Sequence, residues 1–200
     1  MAHGAMHGTM RHPDLREFRR APTMSLALPD VQATRPDAHL HDGVTLLAPG
    51  QYQDAAVTAY EDAELLLSAI LPDARIEHVG ASAIPGACSR GGVDICVAVP
   101  RGAFDEALGV LCEAGYMQRS LDDGGDRHAL LTTPYANVPL ALRLVESGSA
   151  HESLMHFRDA LRADPALLSR YNAIKLEAAA QGAAAYAAAK AAFVAEVLPG

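Results

Sequence analysis

The chain has 200 residues, half of them hydrophobic and a fifth charged, enough to bury a core and far from a disordered composition. No apolar run approaches the roughly 18 residues of a membrane span, and the opening MAHGAMHGTM lacks the basic and apolar regions of a secretory signal. The net charge of −8 sits in residues 44–150, with six Arg against fourteen acids; 1–43 and 151–200 each balance five against five. That distribution excludes a broad basic face for duplex nucleic acid but leaves room for a small nucleotide pocket. Cys88, Cys96 and Cys112 form no CxxC pair, which sets aside a disulfide scaffold or Cys-type zinc site and points to a reducing, cytoplasmic setting.

Residues 1–43 carry four prolines and little periodicity and read as a flexible or loosely docked arm, with at most a short helix over Asp14–Arg20. Val44–Ala48 is a short apolar run ended by the turn signal Pro49-Gly50. From Gln53 to Leu71 apolar residues recur at helical spacing. Arg75–Val79 is a strand, Gly80–Gly92 a glycine-rich loop, and VDICVAV, Val93–Val99, a buried central strand. A helix follows over Ala103–Ala114 with Gly115 as its cap, then strands over Tyr116–Leu121, Arg127–Thr132 and Val138–Glu146. The remainder is helical: one helix to Arg162 capped by Ser149 or Ser153, with Glu152 placed for a capping box from Ser149, a second opened by Asp164-Pro165 and broken at Gly182, a third over Ala183–Val197. The prediction is an α/β core over 44–148, a mixed sheet with flanking helices, followed by C-terminal helices over 149–200 packed on it.

Asp94 is the charge in the wrong place: a carboxylate within an apolar strand is costly unless paired or metal-bound. Either it faces an anion-binding loop as a metal or base group, or loop N–H groups or an arginine such as Arg90 or Arg143 satisfy it. The preceding HVGASAIPG brings Gly80 and Ser82 to the exit of a strand, where small residues let a backbone approach an anion. In the tail, Arg158 and Arg162, Tyr171 and Lys175, and Tyr186 and Lys190 are three i,i+4 pairs, each on one helix face. If those faces converge they clamp a phosphate or carboxylate; otherwise the arginines pair with nearby acids and the tyrosines fill the core. Lys175 and Lys190 are also the only lysines, beside fourteen Arg.

The stretch Glu77–Val99 resembles the signature of the GrpB family, roughly HIGSTAVPGLxxKPxIDI, and stands here as HVGASAIPGACSRGGVDI. The tail HFRDALRADPALLSRYNAIKLEAA…AYAAAKAAFVAEVL is similar to that family's FRDYLRxHPxxxxxYxxLKxxLA…YxxxKxxFI, and the likeness spans about 44–198. The resemblance implies a minimal nucleotidyltransferase-like fold, in which a Gly-Ser turn holds a triphosphate and an Asp-x-Asp pair holds Mg²⁺. Carried over, Asp94 would be the metal ligand. Asp94, Ser82 and His78 would be the catalytic candidates. Gly80, Ser82, Arg90, Arg143, Arg158, Arg162, Tyr171, Lys175 and Lys190 would bind a nucleoside triphosphate such as ATP. The chain departs from the pattern at Ala81, which replaces the serine, and at Cys96, which replaces the second acid; Arg143 lies about where a third acid would project. The expected function is nucleotide binding with one Mg²⁺ and nucleotidyl transfer or carboxylate activation. The alternative is a non-catalytic module for a small anionic or phosphorylated ligand. The sequence leaves the oligomeric state open.

Overall fold

The computed structural model describes residues 44–198 apart from 124 and 135; the arm over 1–43 and its short helix lie outside the described residues. Five strands form one mixed sheet in the order β1-β2-β5-β4-β3: β1 (Arg75–Val79), β2 (Val93–Val99), β3 (Met117–Asp122), β4 (His128–Thr132) and β5 (Leu140–Glu146). β2 runs parallel to β5, and the other neighbours are antiparallel. The two most apolar strands, β2 and β5, occupy the middle, where both faces are covered.

The pleat sorts β2 into two sets. Val93, Ile95, Val97 and Val99 enter the main core with Ala56, Ala63 and Leu67 of α1 (Gln53–Ile70) and Phe104, Ala107 and Leu111 of α2 (Phe104–Glu113). Asp94, Cys96 and Ala98 face the other way, and there Met155 of α3 (Ser153–Ala163) packs on Cys96, Ala98 and Val79. Helices α4 (Pro165–Ala179) and α5 (Ala183–Val197) complete the tail. Phe157, Tyr171 and Phe193 from the three tail helices close a second core around Ile84 and Ala87 of the loop between β1 and β2. In that core the rings of Tyr171 and Phe193 stack at 5.2 Å.

Val44–Ala48 forms a single antiparallel bridge, Leu47 to Ser89, because its partner is a loop segment one residue deep rather than a strand. The Ser149–Glu152 capping box is absent: Ser149 begins a 3₁₀ turn over Ala150–Glu152, its buried hydroxyl has no partner among the described residues, and Ser153 is the first residue of α3 rather than its cap. At the next helix the expected cap does form, with the Asp164 carboxylate accepting from the N–H groups of Ala166 and Leu167 at 2.8 and 3.1 Å. Among the described residues no helix is long and apolar enough to cross a membrane.

Candidate functional site

Asp94 lies at the start of β2, in register with Val79 of β1 and Ala141 of β5. The chain reaches it through Gly80, whose φ of +72° favours glycine and where a Cβ would overlap the Asp94 carboxylate. The residue is open to solvent on one side and crowded by protein on the others, and the space over its carboxylate is the candidate recess. Burial pushes its pKa up from the ordinary carboxylate range, while the cations of Lys190, Arg143 and Arg90 pull it back down. None of the three is within ion-pair distance of it. Each comes from a different element: Arg90 from the loop, Arg143 from β5 on the same sheet face, Lys190 from α5 with its ammonium 5.3 Å from the Tyr186 ring centroid. The structure thus brings Gly80, Asp94, Arg90, Arg143 and Lys190 together, with Tyr186 beside them.

The other predicted residues lie elsewhere. His78 alternates with Val79, so its ring falls on the opposite sheet face from Asp94, stacked on Tyr60 of α1 at 4.6 Å. Its Nε2 is 2.9 Å from the Ser82 hydroxyl, and both side chains are buried. Burial, with Arg162 and Arg158 nearby, lowers the His78 pKa to about 4, so the imidazole is neutral at ordinary pH.

The predicted clamp of the tail grips β1 and the loop that follows it. Arg158 donates from Nη1 to the His78 carbonyl at 2.8 Å and to Glu77 at 2.7 Å, and its Nε reaches Asp159 at 2.8 Å. Arg162 forks onto the Ala83 carbonyl at 2.9 and 2.6 Å. Lys175 donates to the Cys88 carbonyl and rests 4.1 Å from the ring centroid of Tyr171, which is itself buried. Three residues that the sequence did not single out for the site do the same work. Tyr52 donates to the Ala87 carbonyl at 2.8 Å, and Gln53 to that of Ile84 at 2.8 Å. Asn172 donates to the Gly86 carbonyl and accepts from the Cys88 N–H, each at 2.9 Å. Asn172 lies three residues before Lys175, on the same helix face, and that spacing was the available signal.

The residues present do not build a magnesium cage. Mg²⁺ demands hard oxygen ligands. Asp94 supplies one carboxylate, and three cations stand around it. Cys96 is wholly buried at the second-acid position, and burial pushes its thiol up to about 11, far from a thiolate. Among the described residues no group of three His, Cys, Asp or Glu is arranged to hold a metal ion.

Fold and site together define an α/β protein in which a glycine turn feeds a carboxylate-bearing strand beneath a helical tail. Residues 50–199 match the family described as GrpB protein, and the chain belongs to that family. It is 33% identical over 159 residues to a UPF0157 protein of Vibrio cholerae, covering 80% of this chain and 84% of that one. To a UPF0157 protein of Deinococcus radiodurans it is 32% identical over 163 residues, with coverage of 78% and 82%. It also resembles the crystal structure of the conserved protein GrpB from Enterococcus faecalis. That likeness has a TM-score of 0.61 at 22% identity and covers 76% of this chain and 94% of that one.

Proposed function

We propose that the recess over Asp94 binds a small phosphorylated ligand, of the size and charge of a nucleotide, without a resident metal. One observation carries the reading. Arg75, Arg127, Arg158 and Arg170 all hold carboxylates, yet Arg90, Arg143 and Lys190 have no hydrogen bond or ion pair among the described residues, and each is near enough to Asp94 to lower its pKa. Three cations without an ion-pair partner near one carboxylate favour an anion. Asp94 accepts a hydrogen bond from a hydroxyl or amine of the same ligand and repels part of its charge. The loop behind it is held by its carbonyls from three sides, so the cations meet a fixed surface.

Thermal-shift and calorimetric titrations with ATP, GTP and CTP, each with EDTA or with Mg²⁺, test this. Binding in EDTA is expected. Arg143→Met and Lys190→Met each weaken it about tenfold, the scale of one charge-assisted hydrogen bond. Asp94→Asn leaves it intact or tightens it, because a repelling charge is gone. The transferase reading keeps one observation in its favour, the Asp94 carboxylate, which opens to solvent with no ion pair among the described residues. It requires the opposite result, binding that needs Mg²⁺, is abolished by Asp94→Asn and is accompanied by pyrophosphate release.

A further inference from the structure

Lys175 is wholly enclosed and does not line the recess. The groups that face it are few: the carbonyl and thiol of Cys88 on the loop, the Tyr171 ring on α4, and the like charge of Lys190 on α5. The hydroxyls of Tyr52 and Tyr186 are near enough to Cys88 to interact with it electrostatically. Among the described residues no carboxylate pairs with the ammonium. Lys175 therefore has one hydrogen-bonding task, the Cys88 carbonyl. Cys88 is also the last loop residue held from α4, by Asn172, and two residues beyond it stands Arg90, one of the three cations of the recess.

We propose that Lys175 is a positioning residue for the recess, and that its protonation is coupled to ligand occupancy through the Cys88 carbonyl and Arg90. The inference rests on the anion-binding reading given above. A charge-assisted hydrogen bond is roughly twice as strong as a neutral one. The ammonium therefore holds this limb of the loop more firmly than the amine does. Burial lowers Lys175 to about 8, which brings the exchange between the two forms into mildly alkaline solution. An anion on Arg90 favours the held loop and hence the ammonium; by reciprocity the ammonium favours the anion.

The composition makes the coupling directly readable. The full chain contains two lysines, so protein labelled with ¹³Cε-lysine gives two side-chain resonances, assigned with Lys190→Arg. The titration runs in EDTA from about pH 7.5, where ATP has lost its last phosphate proton. Saturating ATP is expected to raise the Lys175 midpoint by about one pH unit; by linkage, ATP binding weakens about sixfold between about pH 7.5 and 9.5. In Lys175→Met, which keeps the volume and removes the proton, binding is weaker at about pH 7.5 and nearly level across that range. A Lys175 midpoint unmoved by saturating ATP overturns the inference while anion binding stands; so does a folded Lys175→Met protein that keeps the original pH profile. The midpoint is measured on the unsubstituted residue and decides the matter even if Lys175→Met does not fold. Absence of ATP binding at every pH removes the anion-binding reading, and the inference falls with it.

Discussion

Two residues on one strand show how position outweighs residue type. Asp94 and Cys96 share a face of β2, yet Asp94 opens to the recess while Cys96 lies under Met155 with no exposed surface. A second carboxylate at position 96 would have to ionise there, at a cost of several kcal/mol without a partner. The thiol is compatible with that site because it is small and neutral, and burial keeps it protonated. Reactivity follows from the same geometry. Of the three cysteines, Cys88 and Cys96 are buried and Cys112 on α2 is exposed. Native protein treated with a chromogenic disulfide reagent should release the equivalent of one thiol rapidly, from Cys112, and the other two only in denaturant. A second fast thiol, or one that persists in Cys112→Ser, would mean that β2 or the loop is open in solution.

At the scale of elements, the loop between β1 and β2 is held by side chains from α1, α3 and α4, and its order depends on them more than on its own turns. Arg158 secures the strand that leads into it, with Glu77 and the His78 carbonyl of β1 and its neighbour Asp159 on one guanidinium. Its removal leaves a buried carbonyl and a half-buried carboxylate without their donor. Arg158→Met should therefore cost about 2–4 kcal/mol in urea unfolding and speed amide exchange across 78–90. Arg158→Lys should recover little, since one ammonium cannot serve all three acceptors. A variant with unchanged urea midpoint and unchanged loop exchange would sink this account of the loop. The helices themselves were legible because an apolar stripe of period 3.6 is a local property, and so were the buried strand β2 and the Asp164-Pro165 start of α4. The partners of the tail's cations were not. Spacing of i,i+4 assigns Arg158 and Arg162 to one face of α3, and only the approach of α3 to β1 decides that this face meets loop carbonyls rather than a ligand. Val44–Ala48 escaped for a related reason: a run of five can pair only with what lies beside it, and here that is one loop residue, Ser89.

The whole molecule divides its ionisable groups between the two sheet faces, and this sets its response to acid. On the α1 face, His78 is enclosed between Tyr60 and Ser82 with two arginines nearby, and its folded pKa of about 4 lies well below the ordinary imidazole value. Between about pH 6.5 and 4 the unfolded chain takes up a proton that the folded chain refuses, so stability rises with pH across that window. The contribution is fully present above about 6.5 and lost as pH falls to about 4, some 3 kcal/mol in all for a side chain so little exposed. On the other face, the His128 and His151 rings lie 4.0 Å apart, and burial and mutual repulsion lower His151 too, which adds to the same acid loss. His78→Gln keeps a hydrogen-bonding partner for Ser82 and removes the titration. Urea midpoints measured from about pH 7.5 to 4 should fall more steeply for the unsubstituted protein than for His78→Gln. The gap between the two curves should grow as acid is added. Parallel curves would place His78 in contact with water, and the buried His78–Ser82 pair described for the α1 face would have to be abandoned.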